Sequence, residues 1–207
     1  MINEIKKRRV IPVIVLEKEE SAKPLAEALL NGGIDIIEIT FRTSAAAKSI
    51  EIIRKEFPEM LTGAGTVVTP EQAQKAIDCG VQFGLAPGLN PDTVSFFKEK
   101  DTLFIPGVMT PSEIEQGISL GCEVLKFFPA EAAGGLKMLN ALAGPYASLG
   151  IQFCPTGGVN LNNMNDYLAN PLVSNIGGTW IATKQQIADG DWTAITKRAK
   201  EAVLKLG

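Results

Sequence analysis

Lys126 stands inside the apolar run Val124-Leu125-Lys126-Phe127-Phe128, whose composition favours a strand. An ammonium among apolar side chains is costly to bury. The same desolvation favours the free amine, and a free amine attacks a ketone to form a Schiff base. The stretch fits equally a lysine at a strand edge, its stem buried and its ammonium in water. A second constellation lies upstream. Within residues 34–42, Ile37, Ile39 and Phe41 share one face of an alternating strand, and Glu38, Thr40 and Arg42 share the other. On a half-exposed antiparallel strand that polar face would meet water. Helical patterns flank the strand on both sides, which fits a parallel sheet covered by helices. The polar face then points into a barrel interior or a crevice, and Glu38 and Arg42 read as site residues. The chain contains no histidine. That excludes Ser-His-Asp and Cys-His machinery and histidine metal ligands. Acid–base work falls to carboxylates, lysine, tyrosine, threonine or water. No Asp/Glu cluster suggests a magnesium site, so neither metal nor cofactor is expected.

The elements that must position these side chains follow in order. Residues 1–7 read as a short helical lead-in. Residues 10–16 read as a buried strand, and 21–31 as a helix stopped by Gly32-Gly33. After the strand at 34–42, Thr43 can cap a helix over 44–57. Strand three, 61–66, ends in Gly63-Ala-Gly65. Thr69-Pro-Glu opens the next helix with a cap and a proline at its first position. Strand four spans 82–86, and the helix after Pro87-Gly88 is capped near Asn90. Strand five spans 102–105, with Thr110-Pro-Ser-Glu113 capping another helix. Strand six is 123–128 and precedes a helix over 133–143. Strand seven is 151–154, followed by Pro155-Thr-Gly-Gly158 and a helix over 161–168. Strand eight is 173–176, followed by Gly177-Gly178-Thr179. A turn at 184–188 and a last helix at 192–206 close the chain.

Eight strand–helix units recur at a spacing of roughly 20 to 28 residues. They predict a (β/α)8 TIM barrel, an α/β fold occupying residues 1–207 as one domain. A doubly wound open sheet competes, but Gly63-Ala-Gly65 lacks the third glycine of a dinucleotide fingerprint. Arg42, Thr66, Pro87-Gly88, Pro106-Gly107, Pro129, Thr156-Gly-Gly158 and Gly177-Gly178 all fall just past expected strand ends. In a barrel those ends form the rim that carries the active site. Turn formation alone explains each glycine and proline singly, but not the polar residues beside them. Gly157-Gly158 and Gly177-Gly178-Thr179 occupy the last two rim loops, where exposed N–H groups and a hydroxyl can cradle a phosphate.

The 207 residues carry 20 Lys and Arg against 23 Asp and Glu. Without a basic patch, no nucleic-acid partner is expected. No apolar run suits a bilayer, and Met1-Ile-Asn-Glu-Ile-Lys-Lys-Arg-Arg9 lacks the core of a signal peptide. Cys79, Cys122 and Cys154 read as free thiols in a reducing cytosol, so a cytoplasmic location is expected. Glu131 either orders the loop after the lysine strand or sits as a solvated carboxylate. Lys137 reads as an exposed helix residue, and Met109, Trp180 and Trp192 as packing.

Seven blocks carry a family resemblance. They are Glu38-Ile-Thr-Phe-Arg-Thr43, Gly63-Ala-Gly-Thr66, Ala86-Pro-Gly88, Ile105-Pro-Gly107, Lys126-Phe-Phe-Pro-Ala-Glu131, Cys154-Pro-Thr-Gly-Gly158 and Ile176-Gly-Gly-Thr-Trp180. In that order they resemble the 2-keto-3-deoxy-6-phosphogluconate (KDPG) and 4-hydroxy-2-oxoglutarate (KHG) aldolases, from about Val10 to the final helix. The resemblance implies a metal-free class I aldolase, a homotrimer, acting in the Entner–Doudoroff route. Such an enzyme cleaves a sugar acid phosphate to pyruvate and glyceraldehyde 3-phosphate. It implies Lys126 as the Schiff-base lysine and Glu38 as the general acid and base. Arg42 and Thr66 would bind the carboxylate of the pyruvate half, with Pro87 lining that pocket. Thr156 would sit beside the imine. Gly157, Gly158, Gly177, Gly178 and Thr179 would hold the phosphate; threonine stands at 179 where serine is as common. The residues agree with these roles. An iminium on Lys126 is an electron sink for C3–C4 cleavage, a carboxylate is the natural base, and the Arg42 fork suits a planar carboxylate. Phe128, two residues beyond Lys126, shares its face. The resemblance extends to cleavage of 4-hydroxy-2-oxoglutarate to pyruvate and glyoxylate. Alternatives stay open: a close relative acting on the galactonate epimer or preferring unphosphorylated 4-hydroxy-2-oxoglutarate, and a phosphate-binding barrel isomerase or a noncatalytic 2-oxo-acid-binding protein.

Overall fold

The computed structural model describes residues 1–206. A short helix, α1 (Ile2–Lys7), leads into β1 (Val10–Ile14), which is buried throughout. The next two strands, β2 (Ile36–Thr40) and β3 (Leu61–Gly65), are buried along their whole length as well. That is the condition of parallel strands with helices on one face and packed side chains on the other. With β4 (Phe83–Leu85), β5 (Leu103–Ile105) and β9 (Ile176–Gly178) they form a parallel ladder in the order β5-β4-β3-β2-β1-β9. A second ladder joins β6 (Gly107–Val108), β7 (Val124–Phe127) and β8 (Gln152–Pro155), also parallel.

The fold is therefore α/β, with a six-stranded and a three-stranded parallel ladder. Pro106 stands at the junction. The Ile105 carbonyl and the Gly107 N–H face the β4 side, bonded to Ala86 and Gly88, while Pro106 has no N–H and its carbonyl faces β7, accepting from the Lys126 N–H at 2.8 Å. The chain passes there from one ladder to the other, which adds the two-residue β6 that periodicity does not reveal. At the opposite side, among the described residues, the ladders meet through the isolated bridges Phe153↔Val173 and Thr156↔Gly177. The last strand is also displaced from the expected 173–176. Gly177 and Gly178 pair with Ile11 and Pro12 of β1, so both belong to the strand and the loop begins at Thr179.

Helices cover the ladders. They include α2 (Ala22–Asn31), α3 (Ala46–Glu56), α4 (Pro70–Asp78), α5 (Pro91–Glu99) and α6 (Pro111–Ser119), then α7 (Gly135–Ala143), α8 (Met164–Leu168), α9 (Lys184–Asp189) and α10 (Trp192–Lys205). Thr69 and Asn90 cap α4 and α5 as their sequences indicate, and Thr110 with Glu113 completes a capping box on α6. Thr43 does not cap α3. Its hydroxyl donates instead to the carbonyl of Leu16, and α3 starts at Ala46 without a side-chain cap. Among the described residues no helix is long and apolar enough to cross a membrane.

Candidate active site

A cavity of about 370 Å³ opens where the strands end at their C-terminal side. Every site residue expected from the sequence lines it except Gly177: Glu38 and Arg42 from β2 and its exit, Thr66 after β3, Pro87 after β4, Lys126 and Phe128 from β7 and its exit, Thr156, Gly157 and Gly158 after β8, and Gly178 and Thr179 from β9 and its exit. Gly177 lies just beneath, in the bridge to Thr156. A side chain there would lie 2.5 Å from the Thr156 hydroxyl, so its glycine serves close approach of the two strands. Val13, Thr40, Val159, Asn160 and Trp180 complete the lining. Thr40 was legible as the middle residue of the Glu38–Arg42 face. Val13 was not, because a strand buried on both faces shows no alternation. Trp180, expected as packing, borders the cavity.

At the base, the Lys126 Nζ donates to Glu38 Oε1 at 3.3 Å. Parallel register explains the meeting. Glu38 pairs with Val13 and Gly63, while Lys126 pairs with Gly107 and Cys154, so both side chains point inward at similar depth. Lys126 is 4% exposed and Glu38 1%. The other carboxylate oxygen, Glu38 Oε2, is buried without a hydrogen-bond partner. A buried pair with an unsatisfied oxygen is a poor device for stability alone, since a buried acceptor without a donor costs free energy. It suits a site in which that oxygen handles a ligand proton. Gly65 makes room for the carboxylate: a Cβ there would lie 2.0 Å from Glu38 Oε1. Composition alone showed Gly65 only as part of a glycine-rich strand end.

Above the pair, the Phe128 ring centroid lies 5.7 Å from the Lys126 Nζ, within cation–π range. The Thr40 hydroxyl donates to the Ile14 carbonyl at 3.0 Å and accepts from Arg42 Nε at 3.3 Å, which aims the guanidinium across the cavity. Thr66 holds a left-handed φ of 59°, uncommon for a β-branched residue. The Thr156 hydroxyl is buried beside the Cys154 carbonyl at 3.4 Å. Burial pushes the Cys154 thiol up to about 12, against the pull of the Lys126 charge. A protonated thiol is not a nucleophile, so the cysteine beside the lysine is packing. Among the described residues no group of three or more His, Cys, Asp or Glu side chains gathers as a metal-ligand set.

The rim toward β8 and β9 is polar backbone. Gly157 and Gly158 have φ of 97° and 86°, the left-handed region that favours glycine. The Gly158 carbonyl accepts from Asn160 Nδ2 at 3.0 Å and Asn163 Nδ2 at 3.3 Å. Thr179 lines the same opening, on the chain segment bridged to this one at Thr156 and Gly177. Backbone amides and a hydroxyl facing one opening match the chemistry of an oxyanion such as phosphate.

Comparison with known proteins agrees with this arrangement. A family model described as KDPG and KHG aldolase matches residues 1–198. The chain is 46% identical over 199 residues to a 2-dehydro-3-deoxy-phosphogluconate aldolase of Treponema pallidum, covering 96% of this chain and 94% of that one. It is 45% identical over 194 residues to the KHG/KDPG aldolase of Escherichia coli K12, covering 94% and 90%. Among solved structures, KDPG aldolase of Legionella pneumophila, with pyruvate captured as a covalent carbinolamine intermediate, superposes with a TM-score of 0.93. It is 39% identical, and 98% of each chain is covered. The 2-keto-3-deoxy-6-phosphogluconate aldolase of Zymomonas mobilis with 3-phosphoglycerate gives a TM-score of 0.88 at 37% identity, covering 97% and 94%.

Proposed function

The chain belongs to the KDPG and KHG aldolase family, and on that footing we propose that it cleaves 2-dehydro-3-deoxy-6-phosphogluconate to pyruvate and D-glyceraldehyde 3-phosphate through a Schiff base on Lys126. The observation that carries this reading is the buried Lys126–Glu38 pair at 3.3 Å, set at the base of a cavity with a glycine-rich polar rim.

The Lys126 amine attacks the C2 ketone, and the carbinolamine loses water to give an iminium. Arg42 and Thr66 hold the C1 carboxylate, the guanidinium binding both oxygens in its plane. Pro87 and Phe128 shape the apolar walls around the three-carbon unit. Glu38 takes the proton of the C4 hydroxyl, directly or through a water. The C3–C4 electrons flow into the iminium, leaving an enamine, and the aldehyde departs with its phosphate. Glu38 then returns the proton to C3, and water hydrolyses the new iminium to free pyruvate and Lys126. Thr156 sits beside the imine. The phosphate is held by Gly157, Gly158, Gly178 and Thr179, with Gly177 setting the strand beneath them. 4-Hydroxy-2-oxoglutarate, which carries the same ketone and C4 hydroxyl, would be split to pyruvate and glyoxylate.

The two ladders read as one wall of a single-domain (β/α)8 barrel. The passage at Pro106 and the bridges at Val173 and Gly177 support that reading. A cytoplasmic homotrimer is the expected working form. The decisive experiment is borohydride reduction with pyruvate followed by peptide mapping. A reduced adduct on Lys126, lost in Lys126→Ala together with cleavage, is expected. An adduct elsewhere, or normal turnover in Lys126→Ala, overturns the proposal.

A further inference from the structure

Glu131 and Tyr167 form a pair outside the cavity that the chemistry above does not use. Tyr167, on α8, is 1% exposed, and its hydroxyl donates to Glu131 Oε1. The partner is unusual. A buried tyrosine normally finds a backbone or water acceptor, whereas this one reaches a carboxylate 36 positions earlier in the chain. Burial and the Glu131 charge both push the Tyr167 phenol up, so the proton stays on the tyrosine and the hydrogen bond is charge-assisted.

What the pair touches defines its task. Residues 129–135 leave the lysine strand and lie along the turn after β8. The Ala130 N–H donates to the Thr156 carbonyl at 2.8 Å, and the Glu131 N–H donates to the Gly157 carbonyl at 3.0 Å. The Glu131 side chain runs under Gly158 so closely that a Cβ there would sit 2.5 Å from its Cβ and Cγ. The carboxylate continues to Tyr167, which belongs to the helix that follows the same turn. Gly135 folds over the contact with φ 61°, where a Cβ would lie 3.2 Å from Glu131 Oε1 and 3.3 Å from the Tyr167 hydroxyl. The Gly157–Gly158 turn is thus backed by the Glu131 side chain, whose carboxylate is anchored in turn by Tyr167. Its carbonyls are occupied by Glu131, Asn160 and Asn163. Among the described residues the Gly158 N–H finds no acceptor.

We propose that Glu131 and Tyr167 are positioning residues: their hydrogen bond fixes the Gly157–Gly158 turn and thereby sets affinity for the phosphate end of the substrate, without entering carbon–carbon bond chemistry. This rests on the reading of that turn as the phosphate cradle. A backbone cradle binds well only when its N–H groups are pre-aimed, because any ordering left until binding subtracts from affinity. Glu131 is the tie between the strand that carries the nucleophile and the loop that carries the phosphate donors, so the two are held in one geometry.

The test compares two substrates that share the reacting carbons and differ at the phosphate, 2-dehydro-3-deoxy-6-phosphogluconate and 4-hydroxy-2-oxoglutarate. Steady-state kinetics are run on wild type, Tyr167→Phe, Glu131→Ala and Glu131→Gln. Tyr167→Phe keeps the buried ring, and Glu131→Gln keeps an acceptor, so both guard against simple unfolding. Tyr167→Phe and Glu131→Ala should raise KM for the phosphorylated substrate by roughly tenfold. Their kcat, their kcat/KM for 4-hydroxy-2-oxoglutarate and their borohydride trapping of pyruvate should stay at wild-type values. Glu131→Gln should recover most of the lost affinity. Equal losses on both substrates, or no loss on either, overturn the proposal. If wild type itself fails to cleave the phosphorylated sugar acid, the phosphate reading fails and takes the positioning role with it.

Discussion

The Glu38 carboxylate is divided between two duties that its two oxygens make separable. Oε1 accepts from Lys126 and Oε2 is left free in a buried setting. Glu38→Gln keeps the shape and removes the carboxylate that the proposed mechanism uses as its base. Carbon–carbon cleavage should fall by roughly a hundredfold to ten-thousandfold, the usual worth of a positioned acid–base group. Lys126 should still be trapped by pyruvate and borohydride, because imine formation needs the amine and the ketone. Loss of trapping in step with cleavage would mean that Glu38 is needed to set up the lysine. Gly65→Ala tests placement alone. Its methyl would occupy the space of Oε1 and must move the carboxylate. A displacement near 1 Å costs on the order of a hundredfold in rate, so kcat should drop with the far-ultraviolet spectrum unchanged. Wild-type turnover in Gly65→Ala would show that the carboxylate position is not limiting.

At the level of elements, Thr66 pits local backbone preference against function at the end of β3. A β-branched residue held at φ 59° carries strain on the order of 1 kcal/mol or more, and such strain collects at sites that use it. Thr66→Gly should leave urea stability unchanged or raise it by up to about 1 kcal/mol, while pyruvate binds more weakly for want of the hydroxyl. A variant that loses stability and keeps affinity would place Thr66 with the packing. The same contrast between local and distant demands decides what the sequence made legible. The caps at Thr69, Asn90 and Thr110 were legible because cap, proline and helix are neighbours in sequence. The Glu38–Thr40–Arg42 face was legible through its period of two. Thr43 obeyed a carbonyl 27 residues earlier rather than its own helix. The last strand slid to Ile176–Gly178 because its register is set by Ile11 and Pro12 of β1. Trp180 and Val13 reached the cavity through tertiary placement that no local pattern records. The passage between ladders at Pro106 required knowing that Lys126 lay beside it.

Across the whole molecule, the thiols report how tightly the interior is closed. Cys79 and Cys154 are both buried, and burial pushes each up to about 12, while partly buried Cys122 rises to about 11 with Lys98 opposing the shift. In the folded state these groups keep protons that the unfolded chain releases near pH 9. Stability from keeping them protonated is complete below pH 9 and is lost as the pH climbs toward the folded values. For a thiol shifted as far as Cys79 or Cys154, the loss is about 1.4 kcal/mol by pH 10. Urea midpoints should therefore fall between pH 9 and 11 in wild type, and fall less steeply in Cys154→Ala once its own lower starting stability is subtracted. Iodoacetamide at pH 8 gives the kinetic counterpart. Native protein should react first at Cys122, which is the more exposed and the less shifted, with Cys79 and Cys154 modified only after unfolding. Rapid native modification of Cys154 would mean that the floor of the site opens to solvent. Lys126 and Glu38 stand on that floor, so the same experiment asks whether the dry environment required for imine chemistry persists in solution.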